Sequence, residues 1–194
     1  MTSDTQNPAT SDYPASLNID YEGSGRNRLT VFFRIITLLP ILLVLTGLQT
    51  LTYPILLMIL FRQKYPRWWF DFNLELTKFS TRVSAYWMLL TDKYPSTDEE
   101  QSTHLTLDYP DAVQLNRWLP LFKWILAIPH YIVLAVLLGI GSILVLVGWV
   151  IIILTGSLPQ GIHNYLVGVS RWSLRVQAYA FLLTTDKYPP FSLD

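Results

Sequence analysis

The chain has 194 residues, of which 51% are apolar and only 14% charged, and its formal net charge is +0. Soluble domains carry about 25% charged residues, so the shortfall points to lipid, rather than water, over much of the surface. The balanced charge gives no electrostatic footprint for nucleic acid, and the absence of cysteine excludes disulfides, thiolate metal sites, iron–sulfur clusters and cysteine nucleophiles.

From Met1 to Gly25 the chain is polar and carries Asp4, Asp12, Asp20 and Glu22. It lacks the basic start and apolar run of a signal peptide. Residues 1–16 are expected to be a disordered tail, rich in Ser, Thr, Asn and Pro.

The strongest feature is an internal repeat. Leu17-Asn18-Ile19-Asp20-Tyr21 returns as Leu105-Thr106-Leu107-Asp108-Tyr109. Arg28, Phe33, Arg34 and Pro40 return at one constant offset as Arg117, Phe122, Lys123 and Pro129. Arg82-Val83 and Ala85-Tyr86 return as Arg175-Val176 and Ala178-Tyr179, and Thr91-Asp92-Lys93-Tyr94-Pro95 as Thr185-Asp186-Lys187-Tyr188-Pro189. The offset grows inside the apolar stretch by about one helical turn. Repeat one is placed at 17–95 and repeat two at 105–194, joined by an acidic linker over 96–104.

In each repeat an apolar run comes first, at 29–65 and 118–158. A helix hydrophobic all round needs a large protein or a bilayer about it, and this chain is too short to bury four such helices. Each run is therefore expected to form a transmembrane hairpin, with reversals near Thr46-Gly47 and near Gly139-Ile140-Gly141-Ser142. Two helices of about 19 residues, each about 29 Å long, suit a hydrocarbon core of about 30 Å. The first run is shorter, so a re-entrant first hairpin is the alternative. Neither reversal carries a charge, whereas Arg26, Arg28, Arg62, Lys64, Arg67 and Arg117 flank the runs. The positive-inside rule puts that side, with both termini, in the cytoplasm. The expected fold class is an all-α membrane protein of two tandem repeats. Each repeat is a transmembrane helical hairpin plus an amphipathic interfacial helix, giving four spans about a pseudo-twofold along the membrane normal.

After each hairpin, apolar residues recur at spacings of three and four: Trp69, Phe72, Leu76, Phe79, Val83, Tyr86 and Leu90, then Ile162, Tyr165, Val169, Trp172, Val176, Tyr179 and Leu183. This predicts helices over 66–91 and 159–185. An interfacial location would use the aromatics Trp68, Trp69, Phe72, Trp87, Trp172 and Tyr179. Packing of the stripe on the hairpins is the other reading, and the two are compatible.

Arg34 and Lys123 lie one to two turns inside their runs. They either snorkel to the interface or bind lipid phosphate at the rim. Lys78, Arg82, Arg171 and Arg175 join them as candidate headgroup contacts. Pro40 and Pro129 are expected to kink the first helix of each hairpin. His130 is the residue a haem would use, but its repeat partner is Ile41, so the shared architecture does not ask for histidine there. The Asp-Tyr segments at 20–21 and 108–109 end short alternating stretches that suit a two-stranded ribbon. No nucleophile–base set, phosphate loop or metal-ligand spacing is found, so no catalytic residue, metal or cofactor is assigned.

The strings Arg175-Val-Gln-Ala-Tyr-Ala180 and Thr185-Asp-Lys-Tyr-Pro-Pro-Phe-Ser-Leu193 resemble the bacterial membrane family called domain of unknown function 4389, with repeat one as a diverged copy. The resemblance implies a bacterial cytoplasmic membrane location and brings no activity. The expected function is a non-enzymatic accessory or scaffold subunit that binds membrane lipid and a protein partner or further copies of itself. A small oligomeric transport element and a haem-bearing redox subunit are the alternatives.

Overall fold

The computed structural model describes residues 13–23, 25–48, 53–99 and 101–194. The chain is mostly helical. Repeat one contributes β1 (Ala15–Ile19), α1 (Arg28–Phe32), α2 (Arg34–Leu48), α3 (Tyr53–Arg62) and α4 (Arg67–Trp87). Repeat two contributes β2 (Thr103–Leu107), α5 (Pro120–Leu126), α6 (Ile128–Thr155) and α7 (Gln160–Ala180).

The ribbon forms as the alternation suggests. β1 and β2 pair antiparallel, with Leu17 opposite its own repeat equivalent Leu105. Ala15, Leu17, Ile19, Leu105 and Leu107 point inward, while Ser16, Asn18, His104 and Thr106 point out. Order therefore begins earlier than the expected tail boundary. Tyr13 is already buried, and its hydroxyl donates to the Arg175 carbonyl at 3.1 Å. Burial pushes the Tyr13 phenol up, so it remains a donor at any ordinary pH.

The expected hairpin of repeat two is not there. α6 runs unbroken for 28 residues, straight through Gly139-Ile140-Gly141-Ser142. Glycine permits a reversal but does not force one, and the surrounding leucines, isoleucines and valines are a continuous apolar run. In repeat one, α2 continues through Thr46 and Gly47 to Leu48. Any reversal beyond it lies outside the described residues. α6 is the one described helix long and apolar enough to cross a membrane. A Cβ added at Gly139 meets nothing within 4 Å. Gly139→Ala should thus raise stability by about 0.5–1 kcal/mol by helix propensity. A fall in unfolding temperature would restore the reversal.

α7 folds back along α6, and α4 along α2. The stripe residues serve this packing. Val169, Trp172, Val176 and Tyr179 meet Leu134 and Ala127 of α5–α6. Phe79, Val83 and Tyr86 meet Leu38, Ile41 and Leu45 of α2. The opposite face of α7, with Val167, Leu174 and Ala178, joins Leu17, Ile19 and Leu105 in the central core. At about 100° per residue these faces are half a turn apart. The result is three layers: ribbon, then α4 and α7, then the apolar helices. The two stripe helices form the middle layer, which is the packing reading of their stripes. Both end earlier than the stripe suggests, at Trp87 and Ala180.

The repeats also clasp each other reciprocally. The Tyr21 hydroxyl donates to the Leu158 carbonyl at 2.6 Å, and its equivalent Tyr109 donates to Tyr65, the equivalent of Leu158, at 2.5 Å. Each of Tyr21→Phe and Tyr109→Phe should cost about 1 kcal/mol in chemical unfolding. Because they lie at separate contacts, the double variant should lose the sum.

Candidate functional site: two equivalent ion-pair nodes

Arg34 and Lys123 are not at a lipid rim. They are 3% and 0% exposed and turn inward to the Thr-Asp-Lys-Tyr-Pro segment of their own repeat. Lys123 Nζ lies 2.7 Å from Asp186 and donates to the Thr185 carbonyl at 2.7 Å. Arg34 Nη2 lies 2.6 Å from Asp92 and donates to the Thr91 carbonyl at 3.1 Å, and Nη1 donates to the Tyr86 carbonyl. Tyr86 and Tyr179 also place their rings against the cations, at 4.2 Å and 5.2 Å.

The acids have a second task. The backbone N–H of Asn27 donates to Asp92 at 2.9 Å, and that of Asn116 donates to Asp186 at 2.6 Å. The side chains of the same two asparagines accept from the first backbone N–H groups of the next segment: Leu29 and Thr30, then Trp118 and Leu119. Each aspartate thus joins the start of the apolar run, the buried cation within it and the end of the following helix.

Backbone geometry brings the acids into place. Past α4, Leu89 adopts φ 63, and past α7 its equivalent Leu183 adopts φ 56. Both are buried leucines in the left-handed region, which a bulky side chain enters only when its surroundings demand it. The reversal is closed by Leu90 N–H to the Ala85 carbonyl at 2.9 Å and by Thr184 N–H to the Ala178 carbonyl at 3.1 Å. Thr91 and Thr185 then accept from the N–H groups of Lys93 and Lys187 at 3.2 and 3.1 Å.

The nodes differ in one respect. In repeat one Arg26 adds a second cation, 3.3 Å from Asp92 and 3.6 Å from Glu22, whereas the equivalent position in repeat two is the buried Leu115.

Two stretches of the chain match the model of one family, described as a domain of unknown function, DUF4389: residues 28–97 and residues 118–192. The chain belongs to the DUF4389 family. Each DUF4389 unit runs from the cation-bearing apolar segment to the acid that neutralises it, so each buried cation–acid pair is internal to one unit. The ribbon strands precede the matched stretches. No curated protein matches the chain, and no solved structure does.

The other candidates are spread over both units. Arg82 is buried and donates to the Ser96 and Thr97 carbonyls at 3.1 and 3.4 Å, holding the linker. Arg175 is buried and donates to the Asp194 carbonyl. Arg171 reaches the Leu17 carbonyl at 2.7 Å, and Lys78 pairs with Glu75 at 2.7 Å. All six basic candidates therefore have protein partners, and Arg34, Lys123, Arg82 and Arg175 are closed to headgroups. Among the aromatics, Trp68, Phe72 and Trp87 are exposed, while Trp69, Trp172 and Tyr179 are buried.

Pro40 sits inside α2, whereas Pro129 falls in the first turn of α6, where its missing N–H costs nothing. The helix break in repeat two is at Ala127, just before it. His130 is enclosed rather than open to a ligand. Its Nδ1 accepts from the Trp172 indole at 3.0 Å, and Phe191 stacks on the ring at 4.0 Å. An open-sided apolar cavity of about 230 Å³ lies between the end of α4, the middle of α6 and α7, lined by Trp87, Met88, Gly141, Val145 and Leu166 among others.

Proposed function

We propose that this chain is a non-enzymatic module of the bacterial cytoplasmic membrane that binds lipid through its outer helix layer and serves as an accessory or scaffold subunit. One observation carries the reading. α6 is uncharged over 28 residues, yet the protein covers little of it: only 17% of its most apolar stretch is buried. The core helix of a water-soluble protein would be enclosed. Here Ile132, Val136, Ile143, Val150 and Leu154 face away from α7 without cover, and Leu29, Phe32 and Ile35 of α1–α2 and Phe122 of α5 are exposed as well. Monomers in water rarely leave more than a few hundred Å² of contiguous apolar surface uncovered.

The nodes support a structural role. Each buried cation is matched by a carboxylate in its own unit, and the threonine beside that carboxylate already holds a backbone N–H group. In this reading the nodes fasten the apolar layer to the middle layer. The four crossings expected from the sequence are not required: a lipid-facing layer on one side of the chain suffices, and both termini then remain on the other.

Washing membranes of expressing cells with alkaline carbonate tests the proposal. The protein should stay with the membrane. Quantitative release into the supernatant would contradict embedding.

A further inference from the structure

The layer order restricts how α6 can meet a bilayer. α7 and the turn that leads into it cover α6 from Trp172, bonded to His130, to Leu158, whose Cδ1 lies 2.9 Å from a Cβ added at Gly148. β1 and its flanks follow α7 over nearly the same stretch on its other side. Tyr13 bonds the Arg175 carbonyl, the Leu17 carbonyl accepts from Arg171, and Tyr21 bonds the Leu158 carbonyl. Turning α6 perpendicular to the membrane would carry this strand to the same depth.

The ribbon cannot go there. Among the described residues it has two strands, with no further strand paired to either outer edge, and its outward side chains are Ser16, Asn18, His104 and Thr106. Open sheet edges do not survive in hydrocarbon, where each unsatisfied backbone group costs several kcal/mol. The length of α6 agrees. Its 28 residues extend about 42 Å, well beyond the roughly 30 Å that a perpendicular span needs. At the rim, the exposed Arg67 and Arg117 are followed directly by the exposed Trp68 and Trp118, a pairing that suits the headgroup region.

We infer that α6 lies lengthwise in one leaflet, with α7 above it and the ribbon above that in water, and does not cross the bilayer. The inference rests on the proposed lipid-facing role.

The chain has no cysteine, so single labels can be placed without removing any. The variants are Ile132→Cys, Val136→Cys, Ile143→Cys, Val150→Cys and Leu154→Cys on the outer face of α6, and Ser16→Cys on the ribbon. Each carries a nitroxide and is reconstituted in vesicles of phosphatidylcholine and phosphatidylglycerol. Collision with oxygen against a water-soluble nickel chelate gives the depth of each label. The five helix labels should share one shallow depth, about 5–10 Å below the headgroups, with Ser16→Cys fully open to the chelate. A depth that peaks near residue 143 and falls towards both ends would overturn the inference while leaving the lipid-facing role intact. Free access of the chelate to all five helix labels would overturn the lipid-facing role and this inference with it.

Discussion

Replacing Asp186 by asparagine will destabilise the fold by about 3 kcal/mol, because Lys123 would stay buried with no counter-charge. Lys123 is 0% exposed, so its ammonium has no contact with solvent where it stands. Lys123→Met should cost less. The aspartate it leaves behind has a side chain 27% exposed, so water can solvate the carboxylate, and it still accepts the Asn116 N–H. The double variant Lys123→Met/Asp186→Asn should then recover much of the loss of Asp186→Asn alone. A buried pair replaced as a whole is often near neutral, whereas a broken pair is not. Chemical unfolding of the four proteins in detergent closes the cycle. Equal and additive losses would mean that the pair is not coupled.

Placing charge on the outer face of α6 will act on lipid binding and spare the fold. Val136 and Ile143 are 61% and 62% exposed and pack against no core. Glutamate at either site should change stability in detergent micelles by less than about 0.5 kcal/mol, as at other uncovered surface positions. In lipid each carboxylate should cost about 2 kcal/mol, so Val136→Glu/Ile143→Glu should lower vesicle partitioning on the order of a thousandfold. Vesicle titration against unfolding separates the two effects. Unchanged partitioning would show that this face does not meet lipid.

The repeat and its ribbon could be read from the sequence because identical strings at a constant offset need no knowledge of the third dimension. The helical stripes were equally plain. What covers them was not, since aromatic residues suit an interface and a helix–helix contact alike, and the sequence does not say which neighbour arrives first. A break at Gly139-Ile140-Gly141-Ser142 follows only if the run is divided into two helices of bilayer length. Nothing in the residues themselves distinguishes that from a single helix of 28.

The nodes are hidden in the sequence for a different reason. Arg34 and Lys123 are equivalent in the repeat, but their partners Asp92 and Asp186 lie far along the chain, beyond the next two helices. The usable signal was stoichiometric. Each unit has one cation a few residues into its apolar run, Arg34 or Lys123, and one acid at a fixed place in its closing motif. A cation placed among apolar residues in both copies requires an anion in both copies, and the Thr-Asp-Lys-Tyr-Pro string supplies it. The left-handed Leu89 and Leu183 that deliver the acid carry no such signal, because leucine gives no hint of positive φ.

The central claim is that the outer helix layer is a lipid-facing surface. The most direct measurement is flotation of the purified, unmodified chain on a density gradient with phosphatidylglycerol-containing vesicles after detergent removal, at low and at high salt. The account predicts that the protein rises with the vesicles at both salt concentrations, because burial of apolar side chains is not screened. A chain that stays at the bottom as a dispersed monomer without detergent would contradict it.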